Sequence, residues 1–272
     1  MRARAGVVSR LLHVGERPVL VRAAQRRDGV VLLRAEGSER ADCELAVQRM
    51  RFALAVDDDY HELYAEFKRD RLLGTAIRRS RWHRPRRRPW PWEALAWSIT
   101  KQLIDSPRAA GIQRRMVFRW GVPRRAPGGA TLVDVPSPAA IAARAPAELA
   151  ALDLAPARAI AMIRAAREVA AGRVNPADPT HDARLLAIRE IGPWTVQCLG
   201  LYGRGEPDSL PAGDLGYLKV VGRLAGLGRR ATVEEVEAFF APYEPYRGLA
   251  GSFVLAAYHK LVAQGPPLRL AA

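Results

Sequence analysis

Hydrophobic and polar residues follow two different patterns along this chain of 272 residues. Near the N-terminus, two apolar runs, PVLVRAA at 18–24 and GVVLLRA at 29–35, flank an Arg-Arg-Asp-Gly turn and predict a strand hairpin. The mixed pattern at 39–56 is compatible with a helix or a further strand. The segment 57–73 is predicted to be a helix. It begins with acidic residues, which favour a helix start, and Leu63, Tyr64 and Phe67 follow at helical spacing.

From Trp92 onward the apolar spacing is helical almost throughout. The predicted helices span 92–105, 107–120, 137–144, 147–152, 155–171, 182–188, 194–202, 214–225, 232–240 and 248–264, with a Pro- and Gly-rich loop at 122–131. Seven arginines at 78–88, followed closely by prolines, indicate a linker before these helices. The patterns therefore predict an α+β protein, with a mixed αβ domain over 1–88 that holds a small antiparallel sheet, and an all-helical domain over 89–272.

The charge of the chain indicates a polyanionic partner. The formal net charge is +15 and the sequence pI is about 10.8, and arginine supplies nearly all of the positive charge. Such a balance favours binding to phosphate groups with release of counterions. The two distant cysteines argue against a disulfide scaffold, a zinc ribbon or an iron–sulfur cluster. No apolar run is long enough to span a membrane, and the N-terminus does not read as a signal peptide. We expect a cytoplasmic, nucleoid-associated protein.

The segment 185–219 carries the strongest functional signal. Its Ile191-Gly192-Pro193 turn lies between two helical patterns, in a region of about 182–202. Gly192 permits backbone conformations closed to other residues, and Pro193 suits the first turn of a helix. The free N–H groups at that helix start would suit a phosphate. An ordinary helix–turn–helix corner is the alternative reading.

A lone carboxylate, Asp214, follows the turn by about twenty residues. The sequence Pro-Ala-Gly-Asp before a helical pattern places it at or near a helix N-cap. A capping role alone would account for the residue. Together with the hairpin, it suggests a catalytic acid beside a DNA-gripping element.

This combination resembles the helix–hairpin–helix DNA glycosylases, specifically the 3-methyladenine DNA glycosylase II (AlkA-type) group. The residues that carry the resemblance are IREIGPWT at 188–195, PAGDL at 211–215 with Lys219, Pro-Tyr-Arg at 245–247, and WEALAWSITKQLI at 92–104. The resemblance implies a helix–hairpin–helix glycosylase domain after the N-terminal αβ domain. It implies base excision repair of double-stranded DNA that contains damaged bases, performed by a monomer.

The resemblance also implies roles for individual residues. Asp214 would be the catalytic carboxylate, which stabilises the positive charge that develops on the deoxyribose. Trp194 stands where the glycosylase–lyases of this superfamily carry their Schiff-base lysine, so the enzyme would lack lyase activity. The predicted base pocket consists of Trp194, Cys198 and Leu215, and the DNA wedge of Gln102, Leu103 and Ile104. Phosphate would bind at Gly192, Trp194, Thr195 and Lys219.

For Trp194 and the wedge residues, ordinary core packing is the competing interpretation. No cofactor is expected beyond a structural monovalent cation, Na⁺ or K⁺. By resemblance, the main-chain carbonyls of Leu186, Ile188 and Ile191 would hold that cation. Glu190 departs from the family, which usually has a glycine there; a glutamate would repel phosphate and fits poorly at positive φ. Cys198 replaces a pocket aromatic of some relatives.

The predicted function is therefore monofunctional excision of alkylated bases, of the 3-methyladenine and 7-methylguanine type, by hydrolysis of the N-glycosidic bond. Two alternatives remain open. The chain could be a non-catalytic protein that binds damaged DNA, or a glycosylase for deaminated or oxidised bases. The arginines at 78–88 could line the DNA backbone or form a solvated linker, and their role is also left open.

Overall fold

The computed structural model describes residues 2–4, 6–126 and 129–264. The strands are β1 Arg2–Arg4, β2 Val7–Val14, β3 Arg17–Gln25, β4 Val31–Glu36, β5 Pro123–Arg125 and β6 Thr131–Val133. The helices are α1 Arg40–Leu54, α2 His61–Phe67, α3 Leu73–Arg79, α4 Pro91–Lys101, α5 Ser106–Trp120, α6 Pro138–Ala142, α7 Pro146–Ala150, α8 Pro156–Ala170, α9 Asp182–Leu186, α10 Pro193–Leu199, α11 Leu215–Leu224, α12 Val233–Phe240 and α13 Arg247–Gln264. The predicted α+β class is confirmed.

The chain divides into two compact units, and each contains two separate segments. Unit 1 consists of Met1–Asp57 and Arg88–Ile191, and unit 2 consists of Asp58–Arg87 and Gly192–Ala272. The chain passes from unit 2 back to unit 1 between Arg87 and Arg88. This point adjoins the domain boundary predicted from the sequence. The division into an αβ domain over 1–88 and a helical domain over 89–272 remains a prediction.

Unit 1 is built on a four-stranded antiparallel sheet in the order β1-β2-β3-β4. Strand β2 pairs with β3 so that Leu12 faces Val19, and these side chains pack with Val21 against Ala46 and Met50 of α1. The opposite face buries Leu11 and Leu20 against Leu132 of β6. Both faces of the two central strands are covered, which explains why these strands lack the alternation of a half-exposed sheet.

A buried ionic cluster joins this sheet to the rest of unit 1. The Arg10 guanidinium on β2 donates to the Glu93 carboxylate of α4 at 2.7 Å and lies 3.7 Å from Asp134. His13 Nδ1 is 2.9 Å from the second oxygen of Asp134. Because buried charges are tolerated only when paired, these contacts fix the position of β2 relative to α4.

Unit 2 has a separate hydrophobic core, formed by α2, α3, α11, α12 and α13. Aromatic rings dominate it: Phe253 of α13 meets Tyr60 and Tyr64 edge-on, with ring centroids about 6 Å apart. Tyr217 of α11 makes a similar edge contact with Phe240 at 5.9 Å. The two helices before the 80–87 segment, α2 and α3, therefore share one core with α11, α12 and α13.

The sequence patterns located most helices but misplaced several ends. The predicted hairpin is β3–β4, and 39–56 is the helix α1. The predicted helix 57–73 is broken, because the Asp70 carboxylate accepts hydrogen bonds from the N–H groups of Leu72 and Leu73 and starts α3. The predicted loop at 122–131 contains β5 and the start of β6, and β1, β2 and α3 were missed. In the described part of the chain, no helix has the length and apolar character needed to cross a membrane.

Candidate functional site

The hairpin consists of α9, a short turn and α10. Within the turn, Ile191 N–H donates to Ile188 O at 3.0 Å. The chain reverses at Glu190, which has φ of +76°. Gly192 has φ of −103° and ψ near 180°, an extended conformation that any residue adopts. The expectation that Gly192 supplies an unusual conformation is therefore wrong, because the left-handed residue of the turn is Glu190.

The feature that distinguishes Gly192 is the empty space beside its backbone. An added Cβ would meet no atom within 4 Å, so the backbone there is accessible. Pro193 is the first residue of α10, as predicted, and lacks an N–H group. Thr195 is buried and donates its N–H to Gly192 O at 3.0 Å. The phosphate-binding role of Gly192, Trp194, Thr195 and Lys219 stays a prediction, with the Lys219 side chain exposed on α11.

The loop after α4 contacts the hairpin turn within unit 1. Gln102 Nε2 donates to Glu190 O at 2.6 Å, and the Gln102 carbonyl accepts a hydrogen bond from Arg158 of α8. Burial lowers the pKa of the Arg158 guanidinium, and Arg108 adds to this effect. Through its hydrogen bond to the Glu190 carbonyl, Gln102 positions the residue of the turn that has a positive φ. The sequence did not predict this contact.

Leu103 is the most exposed large apolar residue of this loop. Its side chain is 97% exposed and its φ is +56°. The predicted helix 92–105 is wrong at its end, because α4 stops at Lys101, the ψ of 130° at Gln102 leaves the helical path, and the positive φ of Leu103 follows. Core packing of Leu103 is excluded, whereas Ile104 is half-buried. The wedge role of Gln102, Leu103 and Ile104 remains a prediction.

Asp214 is the N-cap of α11, as the sequence predicted. Its Oδ1 accepts a hydrogen bond from Gly216 N–H at 2.7 Å, and its own N–H donates to Pro211 O at 2.9 Å. Within the described residues, Oδ2 has no hydrogen-bond partner. The carboxylate is half-exposed. One oxygen therefore fixes the orientation of the group, and the other is available to a ligand.

Aromatic and sulfur-containing side chains lie near this carboxylate in unit 2. The Trp194 side chain lies beside Gly213, where an added Cβ would be 3.7 Å from the indole Cδ1. Cys198 is buried on α10, whereas Leu215 is 46% exposed. Trp194 thus lies beside the residue that precedes Asp214, and the pocket assignment of Trp194, Cys198 and Leu215 stays a prediction.

Tyr217 belongs to the same neighbourhood and was missed by the sequence analysis. Its side chain is 1% exposed, and burial raises the pKa of the phenol well above its ordinary value, with Tyr202, Asp214 and Cys198 contributing. Neither the Tyr217 hydroxyl nor the Trp194 indole N–H has a hydrogen-bond partner among the described residues. The sequence could have indicated Tyr217 by its position. It lies three residues after the N-cap Asp214, and the side chains of the N-cap and of the third helical residue face each other.

The end of α10 continues as a π-helical turn over Gly200–Arg204. A Cβ at Gly200 would lie 2.3 Å from both Glu206 Oε2 and Ser209 Oγ, and Ser209 Oγ donates to Gln197 O at 3.0 Å. The loop that leads to Asp214 thus folds back directly onto the helix. π-turns are frequent at functional sites, where they reposition side chains.

The predicted cation site is a set of main-chain carbonyls in the turn. Ile188 O already accepts the Ile191 N–H, and a carbonyl oxygen has a second lone pair for a cation. In the described parts of the chain, no group of three or more His, Cys, Asp and Glu side chains could hold a metal ion. The donors at Leu186, Ile188 and Ile191 are neutral oxygens, which fit Na⁺ or K⁺, and the site remains a prediction.

Comparison with known proteins finds sequence similarity to DNA repair enzymes over parts of the chain. No protein-family model matches the chain. A segment of 84 residues is 33% identical to the probable bifunctional transcriptional activator/DNA repair enzyme AlkA of Mycobacterium tuberculosis, covering 31% of this chain and 16% of that protein. A DNA-3-methyladenine glycosylase of Bacillus subtilis is 25% identical over 201 residues, covering 72% of this chain and 66% of that protein. The matches thus span less than two thirds of the length of these relatives.

Solved structures share nearly the whole fold. The 3-methyladenine DNA-glycosylase of Archaeoglobus fulgidus aligns with a TM-score of 0.80 at 21% identity, over 96% of this chain and 90% of that one. The 8-oxoguanine glycosylase/lyase of Clostridium acetobutylicum, in complex with double-stranded DNA, aligns with a TM-score of 0.74 at 15% identity, over 93% and 88%. At these identities the likeness establishes the fold.

Proposed function

We propose that the chain is a DNA glycosylase with the helix–hairpin–helix fold, which excises alkylated bases from duplex DNA without lyase activity. The relatives named AlkA and DNA-3-methyladenine glycosylase support the enzyme class. The observation that carries the proposal is Asp214, held by one oxygen at a helix N-terminus with its other oxygen available, directly after Gly213, which lies beside the Trp194 side chain. We further propose that the protein acts as a monomer on double-stranded DNA.

The reaction that this geometry supports is hydrolysis at the sugar carbon. As the bond between C1′ and the base breaks, its electron pair passes to the base and cancels the positive charge of an alkylated purine. Positive charge develops on the deoxyribose, and the Asp214 carboxylate stabilises it. Water then bonds to C1′ and loses a proton to Asp214. Because the leaving base is already cationic, no strong general acid is required.

Recognition of the alkylated base is assigned to the Trp194 ring. A base that carries a formal positive charge is attracted by the electron-rich face of an indole. The nucleotide must leave the helical stack to reach such a pocket, and an exposed apolar side chain such as Leu103 would fill the gap. The proposed pocket also includes Cys198 and Leu215, and the proposed phosphate contacts come from Gly192, Thr195 and Lys219.

Absence of lyase activity follows from the residue at position 194. An imine requires a nucleophilic amine, and the indole of tryptophan supplies none. We therefore propose that the product is an abasic site with an intact strand. The carbonyls of Leu186, Ile188 and Ile191 are proposed to hold a monovalent cation, which would supply positive charge to a neighbouring DNA phosphate.

The decisive test combines product analysis with one substitution. The purified protein is incubated with methylated duplex DNA, and released bases are identified by chromatography. We expect release of methylpurines by the wild type and loss of this release, by at least about 10²-fold, in Asp214→Asn. Asparagine caps helices as well as aspartate, so the fold is retained. Turnover by Asp214→Asn at the wild-type rate would refute the mechanism. Strand cleavage or borohydride trapping of a covalent DNA adduct would refute the monofunctional assignment.

A glycosylase for oxidised or deaminated bases is the second candidate. Two buried hydrogen-bond donors, the Trp194 indole N–H and the Tyr217 hydroxyl, have no partner among the described residues. Bases of that class present additional carbonyl oxygens that could accept from such donors. The same release assay with duplexes containing hypoxanthine or 8-oxoguanine distinguishes the two candidates. Tight binding without release of any base would favour a non-catalytic damage-binding protein.

A further inference from the structure

We propose that the segment from Arg78 to Arg86 is a second nucleic-acid contact, separate from the hairpin, that binds an unpaired strand by stacking a base on Trp82. The segment belongs to unit 2, and its exposed side chains are Arg78, Arg79, Arg81, Trp82 and Arg86. Together these five residues are called the Arg–Trp surface. The proposal does not depend on catalysis by Asp214.

The first observation is the exposure of the indole. Trp82 is 83% exposed, although tryptophan is normally largely buried. The guanidinium carbon of Arg81 lies 5.7 Å from the centroid of the Trp82 ring, so a cation already accompanies the aromatic face. An aromatic ring with an adjacent arginine is the arrangement that binds single-stranded nucleic acid, since every base offers a face for stacking.

The second observation is that the exposed ring stands on a fixed turn. Immediately before it, the Arg81 carbonyl accepts a hydrogen bond from the Tyr64 hydroxyl at 3.0 Å. Immediately after it, the His83 ring contacts Phe253 edge-on at 5.1 Å and lies 3.3 Å from the Ser252 hydroxyl. Trp82 is thus held outward between two anchored residues. A preorganised aromatic group binds with less loss of conformational entropy than one on a free linker.

The third observation is that the arginines of this segment divide into two groups. Arg84 lies over the Tyr60 ring at 4.5 Å, and Arg87 pairs with Asp58 at 2.6 Å where both side chains are mostly buried. These two arginines hold the segment against unit 2. Arg78, Arg79, Arg81 and Arg86 are exposed. A solvated linker would have no such division into inward and outward residues.

Charge identifies the partner as a polyanion. Between positions 68 and 87 the sequence has nine lysines and arginines and a single acid, Asp70. The Asp70 carboxylate is occupied with the N–H groups that start α3, so it does not neutralise the outward arginines. An acidic protein would satisfy the charge alone. The combination with an exposed, supported indole favours nucleic acid with unpaired bases, because paired bases in a duplex do not offer their faces.

The test compares a single strand, a blunt duplex and a duplex with a single-stranded overhang, all undamaged and fluorescently labelled, by anisotropy. We expect Trp82→Ala to weaken binding to the single strand and to the overhang duplex about tenfold, with little change for the blunt duplex. Trp82→Phe should retain most of the affinity, since phenylalanine also stacks. The double variant Arg81→Ala/Arg86→Ala should reduce the salt dependence by about 0.7 for each phosphate contact that it removes.

Two matched controls are available elsewhere in the chain. Phe118→Ala removes another exposed aromatic ring, 76% exposed, and Arg164→Ala removes another exposed arginine. Neither should alter binding to the single strand by as much as the Arg–Trp surface variants. Equal affinities for Trp82→Ala and Phe118→Ala, or an equal loss on all three DNA forms, would overturn the proposal. Excision by Trp82→Ala on blunt methylated duplex reports separately on the proposed catalytic function.

Discussion

Glu190 holds a backbone conformation that residues with a side chain rarely adopt. At φ of +76°, the clash of the Cβ with the backbone costs roughly 1–2 kcal/mol. The hydrogen bond from Gln102 to the Glu190 carbonyl helps to offset this cost, because it fixes the orientation of that peptide group. The sequence identified Glu190 as a departure from the family that the chain resembles. It could not identify Gln102 as the residue that holds the turn, because Gln102 lies 88 positions away along the chain.

Replacing Glu190 by glycine should strengthen DNA binding. The substitution removes a carboxylate that would repel phosphate, and at about 7 Å in water this repulsion corresponds to a roughly threefold change in Kd. Stability should change little, since relief of strain is balanced by the greater backbone entropy of glycine in the unfolded chain. Anisotropy with an abasic duplex measures the affinity. Glu190→Gln is the control that removes charge without freeing the backbone. Unchanged affinity in both variants would show that Glu190 lies away from DNA.

A single substitution, Leu103→Ala, can distinguish a functional role of Leu103 from a structural one. Its side chain is almost fully exposed, so Leu103→Ala should change the free energy of unfolding by less than about 0.5 kcal/mol. If Leu103 fills the gap left by a flipped nucleotide, excision from duplex should fall about tenfold or more, with a smaller effect on single-stranded substrate. Leu32→Ala, at another exposed leucine, is the matched control. Equal rates for the wild type and Leu103→Ala on duplex would remove Leu103 from the wedge.

At the scale of elements, the sequence predicted helices better than their ends. The apolar spacing through 57–73 continues across the break between α2 and α3, which arises because Asp70 caps a new helix. Likewise, the spacing through 92–105 does not reveal that the chain leaves the helical conformation at Gln102. In both places a local hydrogen bond or a single dihedral angle ends the helix, and neither changes the hydrophobic pattern.

Glu168, in the last turn of α8, pairs with Arg184 of α9 and with Arg173 in the segment between the two helices. It accepts from Arg184 Nε at 2.6 Å and from Arg173 Nη2 at 2.7 Å. These hydrogen bonds, first that of Arg173, lower the pKa of the Glu168 carboxyl from 4.5 to about 2. A depressed pKa contributes stability above the unfolded value, and that contribution is lost as the pH falls from about 4.5 towards 2.

Glu168→Gln should therefore lower stability at neutral pH by no more than about 1 kcal/mol, since water screens this partly exposed cluster. The difference from the wild type should shrink below pH 4.5 and vanish near pH 2, as followed by chemical denaturation at each pH. Glu44→Gln, which breaks the exposed pair with Arg40, is the control and should have a smaller effect. A difference that persists unchanged to low pH would mean that Glu168 acts through packing.

At the scale of the whole molecule, the hairpin and the N-cap position of Asp214 were predictable because each is a short, contiguous motif. The composition of the two units was not predictable. Tyr60 and Phe253 share one core although 193 positions separate them, and nothing in either local pattern indicates that pairing. The same limit applies to Arg10 and Glu93, whose partnership assigns the sheet and α4 to one compact unit.

This arrangement predicts the behaviour of a truncated chain. A fragment of residues 89–272 would lose β2 and leave the buried Glu93 and Asp134 without Arg10. An uncompensated buried charge costs about 3–5 kcal/mol, comparable to much of the stability of a domain. We expect the fragment to unfold without a cooperative transition in calorimetry, and Arg10→Met in the full chain to lower Tm strongly. Cooperative unfolding of 89–272 near the Tm of the full chain would establish the helical segment as an independent domain.

The close approach of the 205–209 loop to Gly200 sets a limit on how the gene can change. Every glycine codon begins with two guanines, and any change of either base encodes a larger residue or a stop. Because Glu206 Oε2 and Ser209 Oγ occupy the space that even a methyl group would need, no amino-acid replacement at position 200 leaves the loop where it is. Third-base changes are silent at all four glycine codons and are therefore neutral. We thus expect position 200 to be restricted to glycine by the path of the chain towards Asp214.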